Sequence, residues 1–167
     1  GISTPHIFMG NGSDEAIDLL IRAFCEPGKD HILITPPTYG MYRVSADIND
    51  VRIAEAALTE DYQLDMYRML HALQENPKIV FLCSPNNPTG NLLDLEDIHE
   101  VLDKATGLVV VDEAYIDFAS RPSLIQSALD DHPNLVILQT FSKAWGLANF
   151  RLGMAFASPI LINILNQ

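Results

Sequence analysis

Apolar runs alternate with helical stripes along the whole chain. Seven apolar runs predict strands at His6–Gly10, His31–Thr35, Val51–Ala57, Lys78–Cys83, Leu108–Val111, Leu135–Gln139 and Leu152–Ala157. Several of them, including Leu108–Val111, are apolar at every position. Such runs are typical of strands that are buried on both faces, as in a parallel sheet covered by helices.

Helical periodicity occupies the segments between these runs. The apolar stripe over residues 17–24 predicts a helix that stops at Pro27-Gly28. Asp65 and Asp94 each precede another apolar stripe and are predicted to be helix N-caps. Alternating strands and helices predict right-handed βαβ units. The predicted fold class is therefore α/β, a three-layer α/β/α domain with a mostly parallel sheet of about seven strands, within the common range. The last strand is predicted to be antiparallel because only a short loop precedes it.

Unusual residues follow five of the predicted strands. The five segments are Gly10-Asn11-Gly12-Ser13-Asp14-Glu15, Pro36-Pro37-Thr38-Tyr39-Gly40, Ser84-Pro85-Asn86-Asn87-Pro88-Thr89-Gly90, Asp112-Glu113-Ala114-Tyr115 and Phe141-Ser142-Lys143-Ala144-Trp145-Gly146. The carboxyl ends of parallel strands meet at one edge of a sheet, and ligands bind there in open α/β sheets. The five segments therefore predict a binding site at that edge.

Two of these segments allow a functional and a purely structural interpretation. The segment 10–15 joins a strand to a helix N-terminus, which favours an anion. Taken alone, it is better explained as an ordinary helix start, with Ser13 as N-cap and acidic residues that complement the helix dipole. The segment 84–90 could be a rigid loop that aims a side-chain amide, or a simple Pro/Asn/Gly turn.

The charged residues also allow two interpretations. Asp112 directly follows four apolar residues, so its carboxylate needs a cation or several hydrogen-bond donors. A helix cap or a structural salt bridge would meet that need as well. Lys143 follows a central strand and is a candidate amine nucleophile. Arg151 comes just before the final strand, and lysine and arginine are each common on surfaces.

Composition and charge exclude several kinds of protein. The 167 residues carry 10 basic and 22 acidic side chains, a net charge of −12, which argues against nucleic acid or an anionic membrane as main partner. No apolar run approaches the roughly 20 residues of a membrane span. The N-terminal residues lack the features of a signal peptide, and the missing Met suggests a processed or cut chain.

The cysteines and histidines carry little further chemistry. Cys25 and Cys83 lie inside apolar segments and are predicted to be buried free thiols, in keeping with a reducing compartment and a cytoplasmic location. The five histidines are scattered without metal-ligand spacing, so no metal site is expected.

The ordered motifs resemble a known enzyme family. Segments 84–90 and 112–115, followed by Ser142-Lys143 and Arg151, are similar to the successive signatures of fold-type I, pyridoxal-phosphate-dependent aminotransferases. The resemblance extends from Gly10 to Ala157. Within the family, segments 22–30 and 36–42 are most similar to the histidinol-phosphate aminotransferases. One departure is Phe150, which stands where the family usually has a small, often Gly-containing turn.

This resemblance implies pyridoxal 5'-phosphate as cofactor and a role for each motif residue. Lys143 is implied to bind the cofactor aldehyde and to move a proton between the substrate Cα and the cofactor. Asp112 is implied to pair with the pyridine nitrogen and keep it protonated. The other implied contacts are Asn87 and Tyr115 at the ring hydroxylate oxygen, Tyr39 on the ring face, and Arg151, Ser142, Ser13 and Asp14 at the phosphate. Asp14 would act through its backbone N–H or as a cap.

The implied function is transfer of the amino group of histidinol phosphate to 2-oxoglutarate, in histidine biosynthesis, by a homodimer with small-molecule substrates. Residues 1–167 are implied to form one large, cofactor-binding domain. The family's N-terminal arm and its C-terminal small domain, which carries the arginine for the substrate carboxylate, would lie outside this chain. The chain alone is therefore expected to have little activity.

Two alternatives remain open from the residues. The first is a related fold-type I enzyme, such as a threonine-phosphate decarboxylase or an aromatic aminotransferase. The second is a non-catalytic Rossmann-like binding module. Against the second stand the missing glycine at the sixth position of segment 10–15 and the placement of Lys143.

Overall fold

Seven strands form one sheet in the structure, a computed structural model that describes residues 2–127, 129 and 131–167. The predicted domain, 1–167, thus includes three residues that lie outside the described part. The strands are β1 Ile7–Asn11, β2 His31–Ile34, β3 Arg52–Glu55, β4 Ile79–Cys83, β5 Leu108–Asp112, β6 Leu135–Thr140 and β7 Leu152–Ala157. All seven predicted strands are confirmed, with ends that differ by no more than two residues.

The strand order is β1-β7-β6-β5-β4-β2-β3, which places β5 at the centre. β7 is antiparallel to both of its neighbours, whereas the other neighbouring pairs are parallel. The connection from β6 to β7 contains no helix long enough to serve as a crossover, so the chain returns in the opposite direction. The predicted antiparallel last strand is therefore confirmed.

Helices cover both faces of the sheet and complete the three predicted layers. They are α1 Ser13–Phe24, α2 Met41–Ile48, α3 Met66–Leu73, α4 Leu95–Lys104 and α5 Pro159–Leu165. α1, α2 and α5 pack on one face, and α3 and α4 pack on the other. Side chains of β4 alternate between the two cores: Phe81 lies in the core beneath α1, α2 and α5, Leu82 lies in the core beneath α3 and α4, and both are fully buried. This explains why the run is apolar throughout.

Three helix starts test the predicted caps. Asp65 accepts a hydrogen bond from the Arg68 N–H at 3.1 Å, and Asp94 accepts one from the Glu96 N–H at 2.8 Å, so both caps are confirmed. The alternative with Ser13 as N-cap is wrong. Gly12 holds that position with φ 76°, a left-handed conformation that glycine adopts without steric cost, and the helix begins at Ser13, one residue earlier than that alternative required.

The helix α2 was not predicted. Its buried face consists of Tyr42, Ser45 and Ala46, which are spaced as a helix requires. A serine and an alanine make this stripe weakly apolar, so the pattern does not stand out in the sequence. The helix nevertheless matters for function because Tyr42 reaches the sheet edge.

Both cysteines are buried free thiols, as predicted. Burial raises the pKa of Cys25 to about 11 and that of Cys83 to about 12, so both thiols stay protonated at neutral pH. Across the described residues, no helix is both long and apolar enough to pass through a membrane.

Candidate functional site

A small cavity lies at the carboxyl edge of the sheet, where the five unusual segments were predicted to converge. Its lining residues are Ser13, Tyr39, Cys83, Asn87, Asp112, Ala114, Tyr115 and Lys143. They come from the segments that follow β1, β2, β4, β5 and β6 or from the ends of those strands. The fold thus brings together six of the nine predicted site residues.

Asp112 is the last residue of the central strand and is only 2% exposed. Its carboxylate accepts hydrogen bonds from the Tyr42 hydroxyl at 2.7 Å and from the Ala114 N–H at 3.0 Å. Burial raises the pKa of this carboxyl, and the two hydrogen bonds oppose that shift. Asp112 forms no ion pair with any residue that the structure describes. The salt-bridge alternative is therefore wrong within this part of the chain.

Nor does Asp112 cap a helix in the manner of the other alternative. The short 3-10 helix that follows has Tyr115 as its N-cap, and the one backbone N–H that the Asp112 carboxylate binds among the described residues, that of Ala114, precedes this helix. A buried anionic group that faces a cavity with two donors and no cation is costly unless a positively charged or protonated ligand completes it. The carboxylate is thus a built contact for such a ligand.

Tyr42 was missed by the sequence analysis and is the main support of Asp112. It is fully buried, stacks on Phe81 with ring centroids 4.6 Å apart, and meets Tyr39 edge-on at 5.6 Å. These contacts fix the hydroxyl at the carboxylate. Its spacing of three residues from Tyr39 is the one feature of the sequence that could have indicated a shared helical face. We predicted no helix after segment 36–40, so this spacing was not used.

Tyr39 forms the wall of the cavity above the strand ends. Its hydroxyl donates to the Asp14 carboxylate at 3.1 Å. Burial, followed by the negative charge of Asp14, raises the pKa of Tyr39, so the phenol keeps its proton. The Asp14 carboxylate therefore holds an aromatic ring in place, and any anion contact of this residue must involve its backbone N–H.

The segment 84–90 is rigid, as its composition suggested. The Asn86 amide donates to the Pro37 carbonyl at 3.0 Å and to the Thr89 hydroxyl at 2.6 Å. The Asn87 N–H points to the Cys83 sulfur at 3.4 Å. The side-chain amide of Asn86 is occupied by these hydrogen bonds within the protein, whereas Asn87 lines the cavity. The segment therefore presents one amide to a ligand and uses the other to hold its own shape.

Lys143 lies in the turn after β6 with an exposed side chain. Its amine is 5.2 Å from the centre of the Tyr115 ring, within range of a cation–π contact. Both side chains line the cavity that Asp112 closes from below. A primary amine and a buried carboxylate thus face the same small space.

An anion site is built where β7 meets the start of α1. The Gly12 N–H donates to the Arg151 carbonyl at 2.8 Å, and a Cβ on Gly12 would lie 2.9 Å from the Arg151 guanidinium. Arg151 itself has φ 48°. A Cβ on Gly153 would overlap the Gly12 backbone and the Ser13 nitrogen. Two glycines therefore permit the close approach that sets a guanidinium beside a helix N-terminus, an arrangement that favours anions.

Three predicted residues do not line the cavity. Asp14 holds Tyr39, Arg151 lies against Gly12, and Ser142 precedes Lys143 with its N–H donating to the Thr140 hydroxyl at 3.2 Å. Phe150, the departure noted above, is 75% exposed and does not pack beneath Arg151.

A larger cleft of about 550 Å³ opens beside the cavity and shares Asn87 and Tyr115 with it. Its remaining lining residues are Pro85, Asn86, Pro88, Gly90, Leu92, Phe118, Ala119 and Ser120. Among these described residues Tyr115 alone is titratable. The cleft therefore suits binding, and proton transfer belongs to the smaller cavity.

Comparisons with known proteins agree with this arrangement. A curated histidinol-phosphate aminotransferase from Cytophaga hutchinsonii is 58% identical over 166 residues, which are 99% of this chain and 47% of that protein. A second from Bacteroides thetaiotaomicron is 55% identical over 166 residues, 99% of this chain and 48% of that protein. The chain thus spans about half the length of the curated relatives it matches.

Solved structures share the fold. A histidinol-phosphate aminotransferase from Sinorhizobium meliloti, in complex with pyridoxal-5'-phosphate, superposes with a TM-score of 0.90 at 29% identity and covers 99% of this chain and 46% of that one. The family described as "Aminotransferase class I and II" matches residues 3–167. Fold, cavity and sequence therefore lead to one assignment: the chain belongs to the aminotransferase class I and II family.

Proposed function

We propose that this chain is the cofactor-binding domain of a pyridoxal-phosphate-dependent enzyme that transfers the amino group of histidinol phosphate to 2-oxoglutarate. The observation that carries the proposal is the buried Asp112 carboxylate, which faces Lys143 across a small cavity without a cation partner in the described part of the chain. The family assignment argues against a Rossmann-like binding module.

The residues present fit pyridoxal phosphate. Asp112 would bind a protonated pyridine nitrogen, which supplies the positive charge that the buried carboxylate lacks. Arg151 and the N-terminus of α1 would hold the phosphate. Tyr39 would lie on the ring face, and Asn87 and Tyr115 would bind the ring hydroxylate oxygen, because these side chains line the cavity. Ser142 would contribute at the phosphate beside Lys143.

Lys143 and Asp112 would have different roles in the reaction. When bound, the cofactor supplies an electrophilic aldehyde and a ring that accepts the electron pair released at the substrate Cα. Lys143 would supply a nucleophilic amine beside the bound cofactor and would hold and return the proton at the substrate Cα. Asp112 holds its hydrogen-bonded position because Tyr42 and the Ala114 N–H fix both carboxylate oxygens. In the balanced reaction the donor carbon becomes a ketone and the 2-oxo acid gains the amine.

The substrate assignment rests on the curated relatives, several of which are 51–58% identical and carry the name histidinol-phosphate aminotransferase. These names support a role in histidine biosynthesis. A homodimer is supported by three exposed apolar side chains near Lys143: Trp145 (60% exposed), Leu147 (39%) and Phe150 (75%). Two buried protonated thiols are in keeping with a cytoplasmic location.

The proposed substrate is tested with the full-length enzyme and saturating pyridoxal phosphate. Histidinol phosphate, threonine phosphate and phenylalanine are compared as donors, and glutamate and carbon dioxide are measured as products. Glutamate formation with a kcat/KM for histidinol phosphate at least about 100-fold above the other donors is expected. Carbon dioxide release from threonine phosphate would identify a decarboxylase, and a preference for phenylalanine would identify an aromatic aminotransferase.

The isolated 167-residue chain is expected to bind pyridoxal phosphate but to show little turnover. The cavity supplies contacts for the cofactor, whereas no arginine is among the described residues that line the cavity or the larger cleft, where it could receive a substrate carboxylate. Steady-state assays of the chain and of the full-length enzyme at equal cofactor occupancy check this. Equal kcat values for the two proteins would contradict the proposed division into a cofactor domain and further segments.

Replacing Gly153 with alanine is expected to weaken binding of pyridoxal phosphate much more than binding of pyridoxal, which lacks the phosphate. The added Cβ overlaps the backbone of Gly12 and Ser13 and separates α1 from Arg151. Loss of these charge-assisted contacts corresponds to roughly 10- to 100-fold in Kd. Equilibrium dialysis with both ligands gives the two affinities.

The matched control is Gly40→Ala, because a Cβ on Gly40 meets nothing within 4 Å and its φ is −67°. It should leave both affinities unchanged. If Gly153→Ala lowers the two affinities by the same factor, the contact between α1 and β7 does not serve the phosphate.

A further inference from the structure

A second polar network lies behind the cavity, on the opposite side of the same strand ends. Asp112 points toward Tyr42 and the cavity, whereas the next residue, Glu113, points toward Leu124 in the core beneath α3 and α4. Both carboxylates are 2% exposed. The proposed chemistry uses the first and leaves the second without a role.

The Glu113 carboxylate binds three donors from two separate elements. It accepts from the Ser123 hydroxyl at 2.5 Å and from the Leu124 N–H at 2.9 Å, both in the segment that follows β5. It also accepts from the Gln139 amide at 3.0 Å, and Gln139 lies on β6 four residues before Lys143. One carboxylate thus joins the end of β5, the end of β6 and the returning loop.

Arg121 extends this network to the third strand. Its guanidinium donates to the Ser84 hydroxyl at 3.1 Å and to the Leu93 carbonyl at 2.8 Å. Ser84 directly follows β4, is fully buried, and accepts from the Leu93 N–H at 3.0 Å. Since Arg121 lies two residues before Ser123, the same loop is tied to β4 on one side and to β5 and β6 on the other.

These three strand ends carry the groups that must face one another in the cavity. Asn87 follows β4, Asp112 ends β5, and Lys143 follows β6, while Tyr115 lies on the loop that Glu113 ties back. Backbone hydrogen bonds alone continue the sheet here through the Glu113 N–H to the Leu138 carbonyl at 2.8 Å. Beyond that point the backbone bonds form short turns, such as the Ile116 N–H to the Glu113 carbonyl at 3.0 Å, and side chains make the contacts that join the segment after β5 to β4 and β6.

We propose that Glu113 is a positioning residue: with Ser123, Gln139 and Arg121 it fixes the ends of β4, β5 and β6 so that Asp112, Tyr115 and Lys143 keep their working geometry. The inference rests on the proposed function. Glu113 touches neither substrate nor cofactor and acts through the residues it aligns. The burial of this carboxylate is explained by the task, since its two oxygens accept from three donors, whereas an amide of the same shape has one oxygen and can accept from two at most.

The test compares Glu113→Gln with Glu60→Gln in the full-length holoenzyme. The first keeps the shape of the side chain but sets an amide against the Gln139 amide and the Ser123 hydroxyl. The second makes the same change on an exposed side chain. Four quantities are measured well below the melting temperature of either variant: kcat, KM, the Kd of pyridoxal phosphate, and the pH midpoint of the visible absorbance of the bound cofactor.

For Glu113→Gln we expect kcat to fall roughly 10- to 100-fold, because misplacement of reacting groups by about 1 Å has effects of that size. We also expect a displaced pH midpoint, since Lys143 and Asp112 no longer face each other as before. Lowered thermal stability with kcat and pH midpoint equal to those of Glu60→Gln would overturn the proposal, because that result describes a merely structural residue.

A double variant sharpens the result. Glu113→Gln combined with Gln139→Glu exchanges the carboxylate and the amide between the two partners, and Ser123 can donate to either. Recovery of kcat and of the pH midpoint toward the wild-type values is expected, and no recovery would count against the pairing. If Glu113→Gln does not fold, Ser123→Ala replaces it. Removing this one hydroxyl is expected to lower kcat about 3- to 10-fold, and wild-type behaviour would overturn the proposal.

Measurements on the wild-type enzyme distinguish a failure of the proposed function from a failure of the proposed role of Glu113. A wild type that fails to bind pyridoxal phosphate or to form glutamate would overturn the proposed function itself. A wild type that does both, beside a Glu113→Gln variant that matches Glu60→Gln, would overturn the positioning role alone.

Discussion

Replacing Lys143 with alanine should lower kcat of the full-length enzyme by roughly 10⁴-fold or more, because one amine serves both as nucleophile and as proton carrier. The chain offers no substitute within the cavity, since its other described lining groups are an alcohol, two phenols, a protonated thiol, an amide and a carboxylate. Lys143→Arg should be similarly inactive, because an arginine keeps the charge but not the nucleophilic amine.

Covalent labelling shows directly whether this lysine is the reactive one. Incubation with pyridoxal phosphate, reduction with borohydride and peptide mass spectrometry should place the cofactor mass on Lys143. The chain's other lysines, Lys29, Lys78 and Lys104, should remain unlabelled at stoichiometric cofactor. Lys104→Ala is the matched control because Lys104 is exposed at the end of α4, just before β5 begins, whereas the site lies at the other end of that strand. Labelling distributed over several lysines, or full activity of Lys143→Ala, would contradict the assignment.

The sequence predicted the strands well because burial on both faces leaves a simple pattern. β4 is apolar throughout, and β5 and β6 are apolar up to their last one or two residues, since each packs against helices on two sides. The edge of the sheet that carries the site could also be predicted, because the carboxyl ends of parallel strands lie on the same side. Six of nine predicted site residues therefore met in one cavity although they are up to 130 positions apart, from Ser13 to Lys143.

Contacts between distant side chains could not be predicted in the same way. The bond from Tyr42 to Asp112 spans 70 residues and depends on α2, whose stripe contains only one large apolar side chain. Gly153 is required because its backbone lies against that of Gly12 and Ser13. No periodic pattern in the sequence indicates this close approach. Such contacts depend on packing distances of a few tenths of an ångström, whereas periodicity reports only which face of an element is buried.

Replacing Asp112 with asparagine should have opposite effects on activity and on stability. In the holoenzyme the variant loses the charge that keeps the ring nitrogen protonated, and kcat should fall by roughly 10²- to 10³-fold, the size expected when one partner of a buried charge pair is removed. Asparagine keeps the size of the side chain and can still accept from the Tyr42 hydroxyl. The loss therefore reports the charge and not a cavity.

The stability effect follows from the pKa of the same carboxyl. Burial raises the pKa of Asp112 in the folded protein above its value in the unfolded chain. Folding is thus most favoured when the carboxyl is protonated, and this advantage is lost as pH rises through the raised pKa. At neutral pH the cofactor-free wild type carries that cost, so Asp112→Asn should raise its free energy of unfolding by about 1–2 kcal/mol. The gain should shrink as pH falls and the wild-type carboxyl becomes protonated.

Urea unfolding of the cofactor-free proteins at several pH values measures this difference. Asp61→Asn provides the control, because Asp61 is exposed and its replacement should leave both stability and kcat unchanged. A destabilised Asp112→Asn protein at neutral pH would show that the carboxylate is a structural group already satisfied by its two donors. A stabilised but inactive variant would show instead that the fold tolerates an unfavourable buried charge, because that charge is what the protonated ring of the cofactor requires.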